Sequence, residues 1–197
     1  MVAGYHLIWT VYGAWLPNDP RGSTSSEIRA PHLEELGELH HGRKKIQPCS
    51  AIIRKFYVDA KKKLKHDLLS FNDEEVQILA AVFEQVIQQE RYTCYGCALM
   101  PDHVHILIRK HRDRAEDMIA KLQETSWERI METKRRPSDH PVWGGPGWKV
   151  YLETAADIER TIRYIRANPL KARLPAQTWA FVKEYDGWLP GVGTRRK

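Results

Sequence analysis

Residues 5–12, Tyr-His-Leu-Ile-Trp-Thr-Val-Tyr, are aromatic and β-branched and predict a strand. The stretch 13–48 follows with prolines, glycines and a Ser-Thr-Ser-Ser run, and it shows no sustained period. It predicts a long loop or insertion with a helical turn near 33–39, a length that in compact domains is usually functional or disordered. A helical period returns over 50–69. There Ile53, Phe56, Tyr57, Ala60 and Leu64 form an apolar stripe, with Lys55, Lys61, Lys62 and Lys65 largely outside it. Asn72 with Glu75 three residues on has the form of a capping box. Val76, Leu79, Ala80, Phe83, Val86 and Ile87 then recur at helical spacing. Residues 92–100 and 103–110 predict two strands joined by a Pro101-Asp102 turn, and a helix over about 114–131 follows. After a Pro/Gly-rich break at 136–146, residues 148–152 predict a strand. Thr154, with Asp157 at the third position, caps a last helix. Pro169 is expected to stop it, because the ring clashes with the preceding turn. Without the insertion and the last helix the order is βαββαβ, an α+β split βαβ arrangement of ferredoxin-like type.

A chain of 197 residues suits one domain, here 1–197 with the insertion at about 13–69. Apolar residues at 42% and charged residues at 28% exclude a disordered chain. The net charge of +6 is local rather than spread. Arg43, Lys44, Lys45, Arg54, Lys55, Lys61, Lys62, Lys63 and Lys65 face a single acid, Asp59, between positions 43 and 66, so that window is +8 and the remainder is −2. Such a patch points to an anionic partner, nucleic acid before a membrane surface. No run approaches the length of a membrane span and the start has no secretory pattern. Three cysteines make no disulfide framework, so a cytoplasmic setting is expected.

His103 and His105 flank Val104 in an apolar stretch. Side chains alternate across a strand, so both imidazoles should project to one face and Val104 and Ile106 to the other. Their Cα atoms would be about 6.6 Å apart, close enough for the rings to converge on one divalent ion. With nine histidines in the chain, such a triplet also arises by chance and then reads as packing. Tyr164 and Asn168, four apart, share a face of the last helix. At ~100° per residue, Tyr164 falls about 120° and Asn168 about 80° from the stripe of Ile158, Ile162 and Ile165. A tyrosine there is either an ordinary boundary residue or a reactive phenol. Arg160, Arg163 and Arg166 also lie off the stripe. A basic helix bearing a phenol near paired imidazoles is what phosphodiester cleavage by tyrosine requires.

Other candidates carry less. Cys94 and Cys97 have CxxC spacing, but within a regular strand the two thiols face opposite ways, and no second pair completes a zinc site. The glycine-rich stretch 143–148 lacks the Lys-Ser/Thr ending of a P-loop and reads as a turn. Trp9, Trp15, Trp127, Trp179 and Trp188 are packing residues first and base-stacking residues second.

Met100-Pro-Asp-His-Val-His-Ile-Leu-Ile108 closely resembles the metal-binding strand of the HUH-superfamily single-tyrosine transposases, the enzymes of small insertion sequences and their REP-associated relatives. A second block is similar to the family's tyrosine-helix segment. It runs from Val142-Trp143 through Trp148-Lys-Val-Tyr151 and the capped helix to Tyr-Ile-Arg-Ala-Asn-Pro-Leu-Lys-Ala-Arg-Leu at 164–174. The resemblance spans about 5–12 and 72–174. It implies a ferredoxin-like (RRM-like) core, an antiparallel sheet with helices on one face and the histidines on a central strand, plus a C-terminal tyrosine-bearing helix. By the same resemblance His103 and His105 would bind Mg²⁺ or Mn²⁺, Asn168 would complete the metal site, and Tyr164 would be the nucleophile. The implied reaction cuts single-stranded DNA, often beside a hairpin, and leaves a 5′-phosphotyrosine and a free 3′-OH that can rejoin strands. Arg43, Lys44, Lys45, Arg54, Lys55, Lys61, Lys62, Lys63, Lys65, Arg160 and Arg163 would hold the DNA backbone. A homodimer stays open, since some members exchange tyrosine helices and others work alone. The rival from another class is a non-catalytic RRM-like module that binds single strands and never cuts them. A histidine-triad hydrolase would need a third histidine at 107, where the chain has Leu107.

Overall fold

The first strand, β1 (Gly4–Thr10), lies in the middle of the sheet and pairs antiparallel with β3 (His103–Arg109) on one side and β4 (Trp148–Leu152) on the other. β2 (Cys94–Leu99) closes the outer side of β3, giving the order β2-β3-β1-β4. That is the ferredoxin-like order expected from βαββαβ. The computed structural model describes residues 1–191 except 24 and 29. No helix among them is long and apolar enough to cross a membrane.

The period-2 pattern divides the chemistry of the sheet. Tyr5, Leu7 and Trp9 of β1 and Val104, Ile106 and Ile108 of β3 point to one face. There they pack under α2 (Asp73–Gln89) and α3 (Ala115–Met131). α2 starts on the capping box expected of it: Glu75 N–H donates to the Asn72 side chain at 2.9 Å, and the Glu75 carboxylate accepts from Asn72 N–H at 3.1 Å. The opposite face is covered by α4 (Ala155–Lys171), which Thr154 and Asp157 cap in the same manner. α4 seats Ile158, Ile162 and Ile165 against Tyr95, Ala98, Leu107 and Leu152.

Three expectations need correction, and a fourth gains detail. The basic helix, α1 (Ser50–Lys63), ends six residues earlier than its pattern suggests. The chain turns out at Leu64 so that Leu69, whose N–H donates to Tyr12 O at 3.1 Å, and Phe71 reach the main core. Residues 13–48 form the expected insertion with a helical turn, and the missing period conceals a core. A 3₁₀ helix (Pro31–Leu36) and α1 enclose a core of Leu16, Leu33, Phe56 and Ala60, so the insertion buries its own apolar stripe. Pro169 does not end α4, because one missing N–H in the last turn is tolerated there. The helix runs two residues further, to Lys171, and ends in a Schellman turn, with Arg173 left-handed (φ 59°) and the N–H of Leu174 donating to Pro169 O at 2.9 Å. Finally, Cys94 and Cys97 face the same core. A β-bulge sets Tyr95 and Gly96 opposite Leu107, and the extra residue restores the parity of the two thiols. Burial lifts the Cys94 thiol to about 12 and Cys97 well above its usual range, so both are inert packing groups.

Candidate active site

Register builds the site. Thr10 lies opposite His103, Ile8 opposite His105 and His6 opposite Leu107, which makes His6 and His105 diagonal neighbours on the α4 face. His6 Nε2 is 3.0 Å from His105 Nδ1, and both rings are buried, at 7% and 5% exposure. Burial pushes His6 down to about 4. It also pushes His105 to about 3, helped by the neighbouring His103 and His6. Both rings are therefore neutral at physiological pH and share a single hydrogen between the facing nitrogens. When His105 Nδ1 donates, its Nε2 lone pair is left for a ligand.

His103 is oriented by a different partner. Its Nδ1 lies 2.6 Å from the Asp102 carboxylate, and that hydrogen bond holds Asp102 below its usual range. An Nδ1–H committed to a carboxylate leaves Nε2 free, the arrangement that commonly prepares a histidine for metal. The His103 and His105 rings stand 4.9 Å apart and nearly perpendicular.

α4 brings the phenol to them. Tyr164 lies off the isoleucine stripe, is 45% exposed, and sets its ring 5.3 Å from His105 and 6.0 Å from His6. Lys171 reaches back two turns to put Nζ 5.1 Å from the Tyr164 ring centre. One turn beyond Tyr164, the Asn168 side chain keeps a buried Nδ2 with no hydrogen-bond partner among the described residues. An orphaned amide N–H at that position suits an absent hydrogen-bond acceptor. Among the described residues no three His, Cys, Asp or Glu side chains gather as a metal site. Two imidazoles would supply only part of a divalent ion's ligands, so a hard cation there would take its remaining oxygens from elsewhere, substrate and water among them.

The profile of the IS200-like transposase family matches residues 60–168, more than half of the chain. The chain belongs to that family. The matched region contains His103, His105, Tyr164 and Asn168, whereas β1 and most of the insertion lie outside it. Two solved structures are similar to this IS200-like transposase. A REP-associated tyrosine transposase bound to a REP hairpin shares 10% identity with a TM-score of 0.47, over 86% of this chain and 68% of that one. A candidate transposase from Deinococcus radiodurans shares 12% identity with a TM-score of 0.40, over 89% of this chain and 94% of that one. No curated protein matches the chain.

His6, Asp102 and Lys171 were not singled out from the transposase sequence. His6 carried a signal, since alternation in 5–12 sets it apart from the Tyr5, Leu7, Trp9 face. Its partner lies 99 residues away, and only the register joins them. Several of the predicted DNA-contacting cations are already paired with acids. Arg160 pairs with Asp157, and Arg163 lies 4.0 Å from Glu159, both on the exposed side of α4. In the insertion, Lys61, Lys62 and Lys65 pair with Asp67, Asp59 and Asp139 at 3.2, 2.9 and 2.8 Å, and Lys63 pairs with Glu35. Folding thus brings distant acids to a window that counts as +8 in isolation. Among the described residues Arg43, Lys44, Lys45, Arg54 and Lys55 keep no ion-pair partner. Lys44 and Lys55 line a cleft of about 750 Å³ between the 3₁₀ helix and α1.

Proposed function

We propose that this transposase cuts one strand of DNA with Tyr164 and carries the cut end on that residue until another strand takes it. The phenol oxygen attacks phosphorus and the bond to the 3′ oxygen breaks. The phenol proton leaves, the departing oxygen gains one, and the products are a 5′-phosphotyrosine and a free 3′-OH. Attack by a second 3′-OH on the phosphotyrosine reverses the sequence and joins strands without an outside energy source. The reading rests on one observation above all: a half-exposed phenol stands 5.3 Å, ring to ring, from His105 in the same chain.

His103 and His105, with Asn168, would hold a divalent cation, Mg²⁺ or Mn²⁺. A cation held by these residues would supply Lewis-acid polarisation of a phosphate oxygen. Asp102 and His6 keep the two ring nitrogens presented. Lys171, with Nζ 5.1 Å from the centre of the Tyr164 ring, puts a cation beside the phenol where it can meet a phosphate oxygen. Arg43, Lys44, Lys45, Arg54 and Lys55 would hold the DNA backbone, with Lys61, Lys62, Lys63 and Lys65 competing for phosphates against their acidic partners.

The test is a covalent adduct on a denaturing gel, using labelled single-stranded oligonucleotides from the flanks of the protein's own gene and Mn²⁺. Wild type should shift label to protein mass, and Tyr164→Phe should bind the strand yet form no adduct. An adduct that survives in Tyr164→Phe removes Tyr164 as nucleophile. Binding by wild type with no adduct on any flank oligonucleotide leaves a binding module instead.

A further inference from the structure

The insertion leaves the sheet beside the candidate active site. Val11 N–H donates to Asp102 O at 3.0 Å, and Thr10 is paired with His103. Within the next dozen residues the chain builds a clasp. Asp19 is wholly buried, and its carboxylate accepts from Arg21 Nε at 2.8 Å and from Arg21 Nη2 at 2.6 Å. Arg21 Nη2 also donates to Tyr57 Oη of α1 at 3.0 Å. The guanidinium carbon lies over Trp15, 3.8 Å from the ring centre, and Trp15 Nε1 donates to Gly22 O at 2.9 Å.

This clasp accounts for Nε and Nη2 of Arg21 and leaves Nη1 unexplained. Among the described residues Nη1 has no hydrogen-bond partner, and the side chain is 24% exposed. A guanidinium that only tied down the loop would need nothing beyond its Asp19 side. Here the plane is locked by a buried carboxylate and an indole, so the two Nη1 hydrogens have a fixed direction and pay little ordering entropy on meeting an acceptor. Trp15 is itself 39% exposed.

The geometry points to Arg21 as a phosphate-binding residue of the DNA strand engaged in the active site, with Trp15 as its positioning residue. It takes a backbone phosphate other than the one cleaved, through Nη1. This gives the insertion a role beyond bulk charge, and it rests on the DNA-cleaving reading above. Lysine could not replace Arg21, because one ammonium cannot keep the Asp19 contacts and present a further oriented donor.

The experiment walks a single neutral methylphosphonate along a flank-derived single-stranded oligonucleotide and measures affinity of the full chain at each position. Wild type should lose affinity at a few positions. Arg21→Gln should bind the unmodified strand about tenfold more weakly, with a salt slope shallower by about 0.7. It should also become insensitive to methylphosphonate at one position only. Trp15→Ala should weaken sensitivity at that same position, and it carries the test if Arg21→Gln does not fold. Variants that bind and show the wild-type profile at every position overturn the Arg21 assignment and leave the cleavage reading intact. A uniform loss at all positions in both folded variants overturns it too, since that is the mark of a structural clasp. Failure of wild type to bind any flank strand overturns both.

Discussion

The two faces of the sheet are made from alternate residues of the same strands, yet they do opposite work. Toward α2 and α3, Leu7, Trp9, Val104 and Ile106 are buried among apolar neighbours, and each stabilises the fold by leaving water. Toward α4, His6 and His105 are buried almost as deeply but must be neutral and paired to stay there. His105 and Ile106 are adjacent in sequence and point to opposite faces. The strand therefore serves as a partition: a one-residue step moves from a position that holds the fold to one that holds the chemistry.

Substitutions at that step break the comparison most sharply. His105→Ala should take Mn²⁺-supported adduct formation to background while the protein stays folded. Full activity of that variant, or of wild type in excess chelator, would refute a metal role for the ring. Ile106→Ala should do the reverse, costing about 2–5 kcal/mol of stability while the remaining folded molecules still form the adduct. Denaturant titration alongside the gel assay separates the two effects.

Acid should sharpen the comparison with a smaller effect. In chelator, where no ion occupies the rings, His6 and His105 titrate at about 4 and about 3, against 6.5 in the unfolded chain. The unfolded chain then binds more protons below pH 6.5, so the stability held by these neutral rings is full above 6.5 and declines as pH falls toward 4 and 3. The melting temperature of metal-free protein should drop between pH 6.5 and 5, before most carboxylates titrate. Replacing both rings, His6→Gln with His105→Asn, should flatten that drop, and an unchanged slope would show that the rings are not the titrating groups. The smallest effect belongs to the insertion. Lys55→Gln should weaken single-strand binding across all sequences and reduce the salt slope by about 0.7 if Lys55 meets a phosphate. Lys62→Gln should do less, because Asp59 already holds that ammonium at 2.9 Å.

What the sequence made legible was local. Both capping boxes, the His103/His105 parity and the placing of Tyr164 off the apolar stripe depend on residues within a few positions of one another. His6 escaped notice because its significance depends on strand register. The insertion's private core escaped because its parts, Leu16, Leu33 and Phe56, are too widely spaced to show a period. The facing of the cysteine pair is hidden for a related reason, since a single extra residue in β2 reverses the parity that alternation assumes.

Pro169 has a mechanical consequence for α4. Without an N–H at that position, the carbonyl of Ile165 loses its helical donor, and the turn carrying Asn168 is tied to the turn carrying Tyr164 by one bond fewer than a regular helix supplies. Ile158 and Ile162 anchor the preceding turns in the apolar contact with the sheet. The compliant point of the helix therefore falls between the phenol and the amide, so their separation can yield by bending there while the anchored half stays seated.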